Sequence, residues 1–292
     1  MEAIMKYRLI KDYKHENKLR KSFNELTQKV FDFTLEEWYQ EGFWGEQYCP
    51  YSLADGDKII ANVSVNQMDF IMDGVLKKYI QLGTVMTDKE YRNQGLGRYI
   101  MDAILQEYQE KVDGIYLFAN DSVLDYYPKF GFRKSSEYSY HKIVCNPSGE
   151  KIKKLDMNRQ EVKNQVLTTL RNMKVNNNLQ MDNYGLYAFW MSGAMSEQIY
   201  YCESENAYIV ADRKGNILNL NQIIADHVVD MNAVISAFGE DTKEVILGFA
   251  PFDSKDYQVK EHKEEDCTLF IMGEDLSGIE KHRLRFPVLS HA

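Results

Sequence analysis

Between Val85 and Leu105 the side-chain pattern changes from the alternation of a strand to the three-and-four spacing of a helix. One turn carries the change, Arg92-Asn93-Gln94-Gly95-Leu96-Gly97-Arg98, and few chain geometries satisfy it. Leu96, Ile100, Ile104 and Tyr108 are spaced for burial on one helix face. Glycine lets the main chain approach another group closely, and the first turn of a helix carries unpaired N–H donors at the positive end of its dipole. Together these features suit a diphosphate, to which Arg92 and Arg98 add charge-assisted contacts. Two glycines alone fit close helix packing equally well. The stretch lacks the third glycine of a dinucleotide-binding turn and the Gly-Lys-Ser/Thr ending of a P-loop, which excludes both.

The flanking sequence supplies the context. A short strand at 7–13 precedes a helix with Leu19, Phe23, Leu26 and Val30 on one face, and Thr34, with Glu37 three residues on, is placed to cap a second helix. Three alternating strands with turns at Asp55-Gly56-Asp57 and Asp73-Gly74 read as an antiparallel meander ending at Thr87. After the glycine turn and its helix come an apolar strand at 113–120, a short helix stopped near Pro128 and Gly131, and a strand at 133–144. The Pro, Gly and Lys mixture at 145–156 marks a boundary between a domain at 1–146 and another at 147–292. Beyond it the pattern predicts a helix over 159–173, a strand at 184–192, a hairpin turned at Lys214-Gly215, a helix over 230–240, strands at 243–251 and 267–273, and a closing strand within 282–292. Both halves read as mixed α/β or α+β.

At 292 residues the chain suits two domains of ~100–200 residues each. The formal charge of −9 argues against a general nucleic-acid binder, which needs clustered Lys and Arg. Cys49, Cys145, Cys202 and Cys267 are widely scattered without the paired spacing of metal or redox motifs, so reduced thiols and no metal are expected. The N-terminal stretch is broken by charges and contains no apolar run, which points to a cytoplasmic location without a membrane partner.

In this order of elements the chain resembles the GCN5-related N-acetyltransferase (GNAT) family. Arg92-x-x-Gly95-x-Gly97 stands where the family has its acetyl-CoA pyrophosphate loop, and Leu82-Gly83-Thr84-Val85-Met86-Thr87 resembles the strand before it. Ala119-Asn120-Asp121-Ser122-Val123-Leu124-Asp125-Tyr126-Tyr127-Pro128-Lys129-Phe130-Gly131-Phe132 resembles the last family motif, and the match covers roughly 5–144. The resemblance implies the GNAT acyl-CoA N-acyltransferase fold, an α/β (α+β) unit with a mixed, mostly antiparallel sheet flanked by helices. The second half looks like a degenerate GNAT-like copy, because no Gly-x-Gly loop precedes its helix at 230–240.

Function is implied in the same way. Acetyl-CoA would be the co-substrate, held by Val85, Met86, Thr87, Arg92, Asn93, Gln94, Gly95, Leu96, Gly97, Arg98 and Asn120, with Asn120 equally suited to cap a helix. Acetyl transfer would run directly, in a ternary complex, to a primary amine of a small molecule or peptide. Tyr127 matches the family's acid for the departing thiolate, with Tyr126 as packing and a main-chain N–H at Met86 or Thr87 facing the oxyanion. No carboxylate stands near Gln81, where some members place a base, which leaves Glu37, Glu41, Glu46, Asp69 or a water chain; His15 and His141 read as structural or exposed. Trp38, Phe43, Trp44, Tyr48 and Tyr51 could wall the amine pocket, Trp38 as core and Trp44 or Tyr48 as rim. The second half could lend Tyr187, Trp190 or the terminal carboxylate. A non-catalytic acyl-CoA sensor or interaction module, and an acyl-protein or aminoacyl transferase, are alternatives on the same scaffold, and a homo-oligomer is left open.

Overall fold

The computed structural model describes residues 6–145 and 152–292, so the expected boundary at 146/147 lies outside the described residues. In the first half, β1 (Arg8–Ile10), α1 (Asn17–Phe31) and α2 (Glu36–Gln40) lead into the meander β2 (Tyr48–Asp55), β3 (Lys58–Met72) and β4 (Val75–Thr87). Then come α3 (Leu96–Tyr108), β5 (Gly114–Ala119), β6 (Arg133–Lys134) and β7 (Glu137–Ile143). The second half begins with β8 (Ile152–Lys154), α4 (Gln160–Arg171), β9 (Leu179–Asp182), α5 (Tyr184–Ser192) and β10 (Ile199–Cys202). It continues through β11 (Ala207–Lys214), β12 (Ile217–Ile224), α6 (Met231–Ala237), β13 (Glu244–Leu247), β14 (Gln258–His262), β15 (Thr268–Met272) and α7 (Ser277–Lys281).

Burial follows the expected periods. α1 buries Leu19, Phe23 and Leu26 and ends where Asp32 turns left-handed at φ 62°. On β3 the odd residues Ala61, Val63 and Val65 pack in one cluster with Leu96, Ile100 and Ile104 of α3. Met68 and Phe70 join a second cluster built largely from the second half.

Among the described residues the strands form two sheets, and each repeats the other's order. The first runs β1-β2-β3-β4-β5-β15-β6, with β9 added beside β3; the second, read from its β8 edge, runs β8-β10-β11-β12-β13-β7-β14. In both, the fourth and fifth strands are the parallel pair, β4 with β5 and β12 with β13. In both, the sixth position is filled from the other half: β15 pairs β5 and β6, while β7 pairs β13 and β14. A division near residue 146 therefore separates the chain but not the sheets.

Three local expectations give way. Residues 184–192 are the helix α5, not a strand: Asn183 caps it by accepting from the Leu186 N–H, and its apolar residues surround the axis, so no one-sided period is visible in the sequence. Residues 282–292 contain a single 3-10 turn, Val288–Ser290, in place of a closing strand. At α2 the cap residue is Leu35, and no side-chain bond from Thr34 closes the first turn.

Candidate active site

The site begins where two strands part. β4 and β5 are paired only from Tyr79–Gly114 to Gln81–Tyr116. Beyond that point β5 follows β15 to Ala119 while β4 follows β3 to Thr87. An irregularity on β3 between Asn62 and Ser64 faces Thr84, which takes φ 47°. A left-handed β-branched residue costs about 1–2 kcal/mol, and a buried polar network offsets it. Asn62 Nδ2 donates to the Thr84 carbonyl at 2.9 Å and to Ser64 Oγ at 2.9 Å. Ser64 Oγ donates to Tyr48 Oη at 2.8 Å, and that hydroxyl lies 3.1 Å from Thr84 Oγ1. Sequence reasoning passed over this network; the available signal was a polar residue at every second position, Asn62-x-Ser64-x-Asn66, in an otherwise apolar strand.

Main-chain direction along β4 follows from one bond. The Asp88 N–H donates to the Ile60 carbonyl of β3 at 2.8 Å. Strand alternation then turns the N–H groups of Thr87 and Val85 to the opposite edge, toward the gap, and that of Met86 toward β3. Of the two expected oxyanion donors, Thr87 has the right direction and Met86 does not.

The glycine turn closes the other side of the gap. Asn93 at φ 61° and Gly95 at φ 76° curl the main chain, and Gly95 heads α3 without a side-chain cap. The first helical bond runs from the Tyr99 N–H to the Gly95 carbonyl at 3.1 Å, leaving the N–H groups of residues 96–98 without an acceptor inside the helix. Arg92 Nε leans on the Thr87 carbonyl at 3.4 Å. A Cβ on Gly97 would stand 3.1 Å from Tyr126 Oη, so the turn and the tyrosine segment are in close contact.

A groove of ≈ 740 Å³ lies between these walls, and every residue expected to bind the cofactor lines it except Gln94. Gln94 Oε1 instead accepts from Tyr7 Oη at 3.3 Å. Tyr127 lines the groove from a buried position, and burial, with the Tyr126 phenol beside it, pushes its pKa up to about 12. Tyr126 also lines the groove while packing against the first-half core. Asn120 makes no cap bond; its amide donates to Asp266 Oδ2 at 2.8 Å in the loop between β14 and β15.

The remaining candidates sort by position. Glu37, Glu41, Glu46 and Asp69 do not line the groove, and Glu41 and Glu46 pair with Lys163 and Lys14, each at 2.6 Å. His15 bonds Tyr39, and His141 sits in the second sheet against Glu244. Trp44 is 4% exposed, stacks on Trp38 and donates to the Tyr48 carbonyl, which removes its rim role. A smaller cavity of ≈ 130 Å³ lies between this aromatic loop and α5, lined by Trp38, Phe43, Tyr48, Asn66 and Tyr184 among others. Asn66 Nδ2 and Gln81 Oε1, cross-strand neighbours, are buried without a hydrogen-bond partner among the described residues. Tyr187 is buried and bonded by Gln180, away from the groove. Trp190 Nε1 donates to the His291 carbonyl at 2.9 Å, and Ala292 reaches the groove, its backbone oxygen 2.6 Å from where a Cβ on Gly83 would stand.

The corresponding helix and strands of the second half are arranged differently. Asp230 caps α6 by accepting from the Asn232 N–H at 2.9 Å, placing a carboxylate where the first half has Gly95. Beyond the parallel pair of β12 and β13, the Val288 N–H bonds the Gly248 carbonyl at 2.9 Å and fills the gap.

Residues 12–132 match the model of the acetyltransferase (GNAT) family. They form a GNAT domain. It holds the elements from α1 to β5 and the Tyr127 segment, hence the whole groove apart from Ala292. Solved structures extend the likeness of fold to both halves. A conserved protein from Enterococcus faecalis V583, described as a probable N-acyltransferase, superposes with a TM-score of 0.57 at 15% identity, over 92% of this chain and 73% of that one. A GCN5-related N-acetyltransferase from Kribbella flavida gives 0.57 at 14% identity, over 93% and 72%. Eis1 from Mycobacterium abscessus gives 0.55 at 9% identity, over 90% and 73%. No curated protein matches the chain in sequence. Among the described residues no helix is long and apolar enough to cross a membrane.

Proposed function

We propose that the protein transfers an acetyl group from acetyl-CoA to a primary amine of a small molecule or peptide, within a ternary complex. The observation that carries this reading is the groove itself: free N–H groups of residues 96–98 and two arginines at one end, the open edge of β4 along its length, and Tyr127 on its wall. The diphosphate would lie on the helix N-terminus, and the pantetheine arm would bond Val85 and Thr87 as an added strand. The amine nitrogen attacks the thioester carbon, the C–S bond breaks, Tyr127 gives its proton to the sulfur, and the amine loses its proton to solvent. A phenol held near a pKa of about 12 stays protonated at neutral pH, as that role requires. Asn66, which lines the small aromatic cavity, offers an unpaired donor for the amine-bearing molecule, with the unpaired Gln81 acceptor across from it on β4.

A second reading has its own support. No side chain lining the groove is a carboxylate or a histidine, which suits a module that binds acyl-CoA without turnover. Calorimetric titration with acetyl-CoA, followed by a thiol-release screen over a panel of amines, separates the two. Binding with turnover on any amine supports transfer, binding without turnover supports the sensor, and no binding removes both.

A further inference from the structure

Scattered in sequence, three ligand types meet at the end of the groove. The loop joining β14 to β15 reads His262-Lys263-Glu264-Glu265-Asp266-Cys267, and it folds against His291. One ligand atom each from Glu264, Cys267 and His291 lies within 4.8 Å of the others. Glu264 and Cys267 are three residues apart across a tight turn, with Asp266 at φ 56°. His291 Nε2 is buried and has no hydrogen-bond partner among the described residues. The His291 ring is fixed from behind by stacking on Phe118 at 3.8 Å between centroids. His262 Nε2 stands 3.6 Å from the Glu264 carboxylate and 3.0 Å from Arg285 Nη2.

We propose that Glu264, Cys267 and His291 bind a divalent cation of the zinc class, with the fourth position left to water. Sulfur, imidazole and carboxylate together suit Zn²⁺ or Co²⁺ and exclude Mg²⁺ and Ca²⁺, which take oxygen ligands. On binding, the Cys267 thiol loses its proton to solvent and the thiolate coordinates, while Arg285 keeps its bonds to His262 Nε2 at 3.0 Å and to the Leu247 carbonyl at 3.1 Å. The ion would pin the β14–β15 loop to the segment carrying His291 and Ala292. Because Asp266 of that loop also holds Asn120, the ion would brace one end of the groove from both sequence halves. The proposal does not depend on acetyl transfer.

The test uses the full-length protein stripped with a chelator, then titrated with Co²⁺ as a spectroscopic probe and with Zn²⁺ in thermal melts. Stoichiometric Co²⁺ uptake with a sulfur-to-cobalt charge-transfer band, displaced by Zn²⁺, is expected. Zn²⁺ at roughly a hundred times its Kd should raise Tm by about 5 °C. Cys267→Ser should abolish the band, and His291→Gln and Glu264→Gln should each weaken binding by at least about tenfold. Cys145→Ser, at an exposed thiol, should leave it intact. Absence of the band in the unsubstituted protein overturns the proposal without relying on any variant's folding. So does a band that survives Cys267→Ser or vanishes with Cys145→Ser.

Discussion

Thr84 shows how much of this site rests on single side chains away from any ligand. Its left-handed conformation opens the edge of β4, and Asn62 bonds its carbonyl from below the sheet. Asn62→Ala removes its buried bonds to the Thr84 carbonyl, Ser64 Oγ and Ser52 Oγ, and we expect a loss of about 1–3 kcal/mol in urea unfolding. If the proposed function holds, the same variant should raise KM for acetyl-CoA more than it lowers kcat, because the displaced edge would bind the arm and not the reacting carbon. Tyr127→Phe should do the reverse, lowering kcat by about 10²–10⁴ with little change in acetyl-CoA affinity by calorimetry. Since burial holds the phenol near a pKa of about 12, kcat of the unsubstituted protein should show no alkaline limb from this group between pH 7 and roughly pH 10.

At the scale of elements, the strand-turn-helix unit around Gly95 separates two kinds of glycine. Gly95 sits at φ 76°, so Gly95→Ala should cost about 1–2 kcal/mol and weaken acetyl-CoA binding whatever its neighbours are. Gly97 has ordinary dihedrals but a tyrosine hydroxyl 3.1 Å from its would-be Cβ. Gly97→Ala should therefore weaken binding through Tyr126, and adding Tyr126→Phe should restore much of it, as calorimetric Kd values would show. This unit was legible in the sequence because glycine, helix period and strand period are all local signals. α5 was not, because Tyr184, Leu186, Tyr187, Phe189 and Trp190 give an apolar run without a polar face. Gln94 was placed in the groove by its motif, yet a residue 87 positions away, Tyr7, draws its side chain outward. The meeting of Cys267 with His291 was equally hidden, since no spacing rule spans two segments that only the fold brings together.

Over the whole molecule the two halves are joined by exchanged strands and by side chains that cross between them. Lys77 and Tyr79 of β4 both donate to Asp275, just beyond β15. Burial alone would raise the Asp275 pKa, but these two bonds outweigh it and hold the carboxyl below its ordinary value. The contribution is thus present above the unfolded-state pKa and lost as pH falls through the folded one. Asp275→Asn should cost about 1 kcal/mol at pH 7 and progressively less below about pH 4, checked by urea unfolding at both values. Because β7 and β15 each complete the opposite sheet, the intact chain should unfold in one calorimetric transition, with van't Hoff and calorimetric enthalpies agreeing. Neither β7 nor β15 carries a pattern naming its partner: alternation sets which face is buried, not which sheet is joined.

The place of β15 also bears on how the polypeptide matures on the ribosome. About 150 residues of chain must be synthesised after Ala119 before the strand that lies against β5 exists, and a closure that distant is entropically slow. Until then a nascent first half carries an open hydrogen-bonding edge that invites association with other chains, so chaperone cover during translation matters most in the interval before Thr268 emerges.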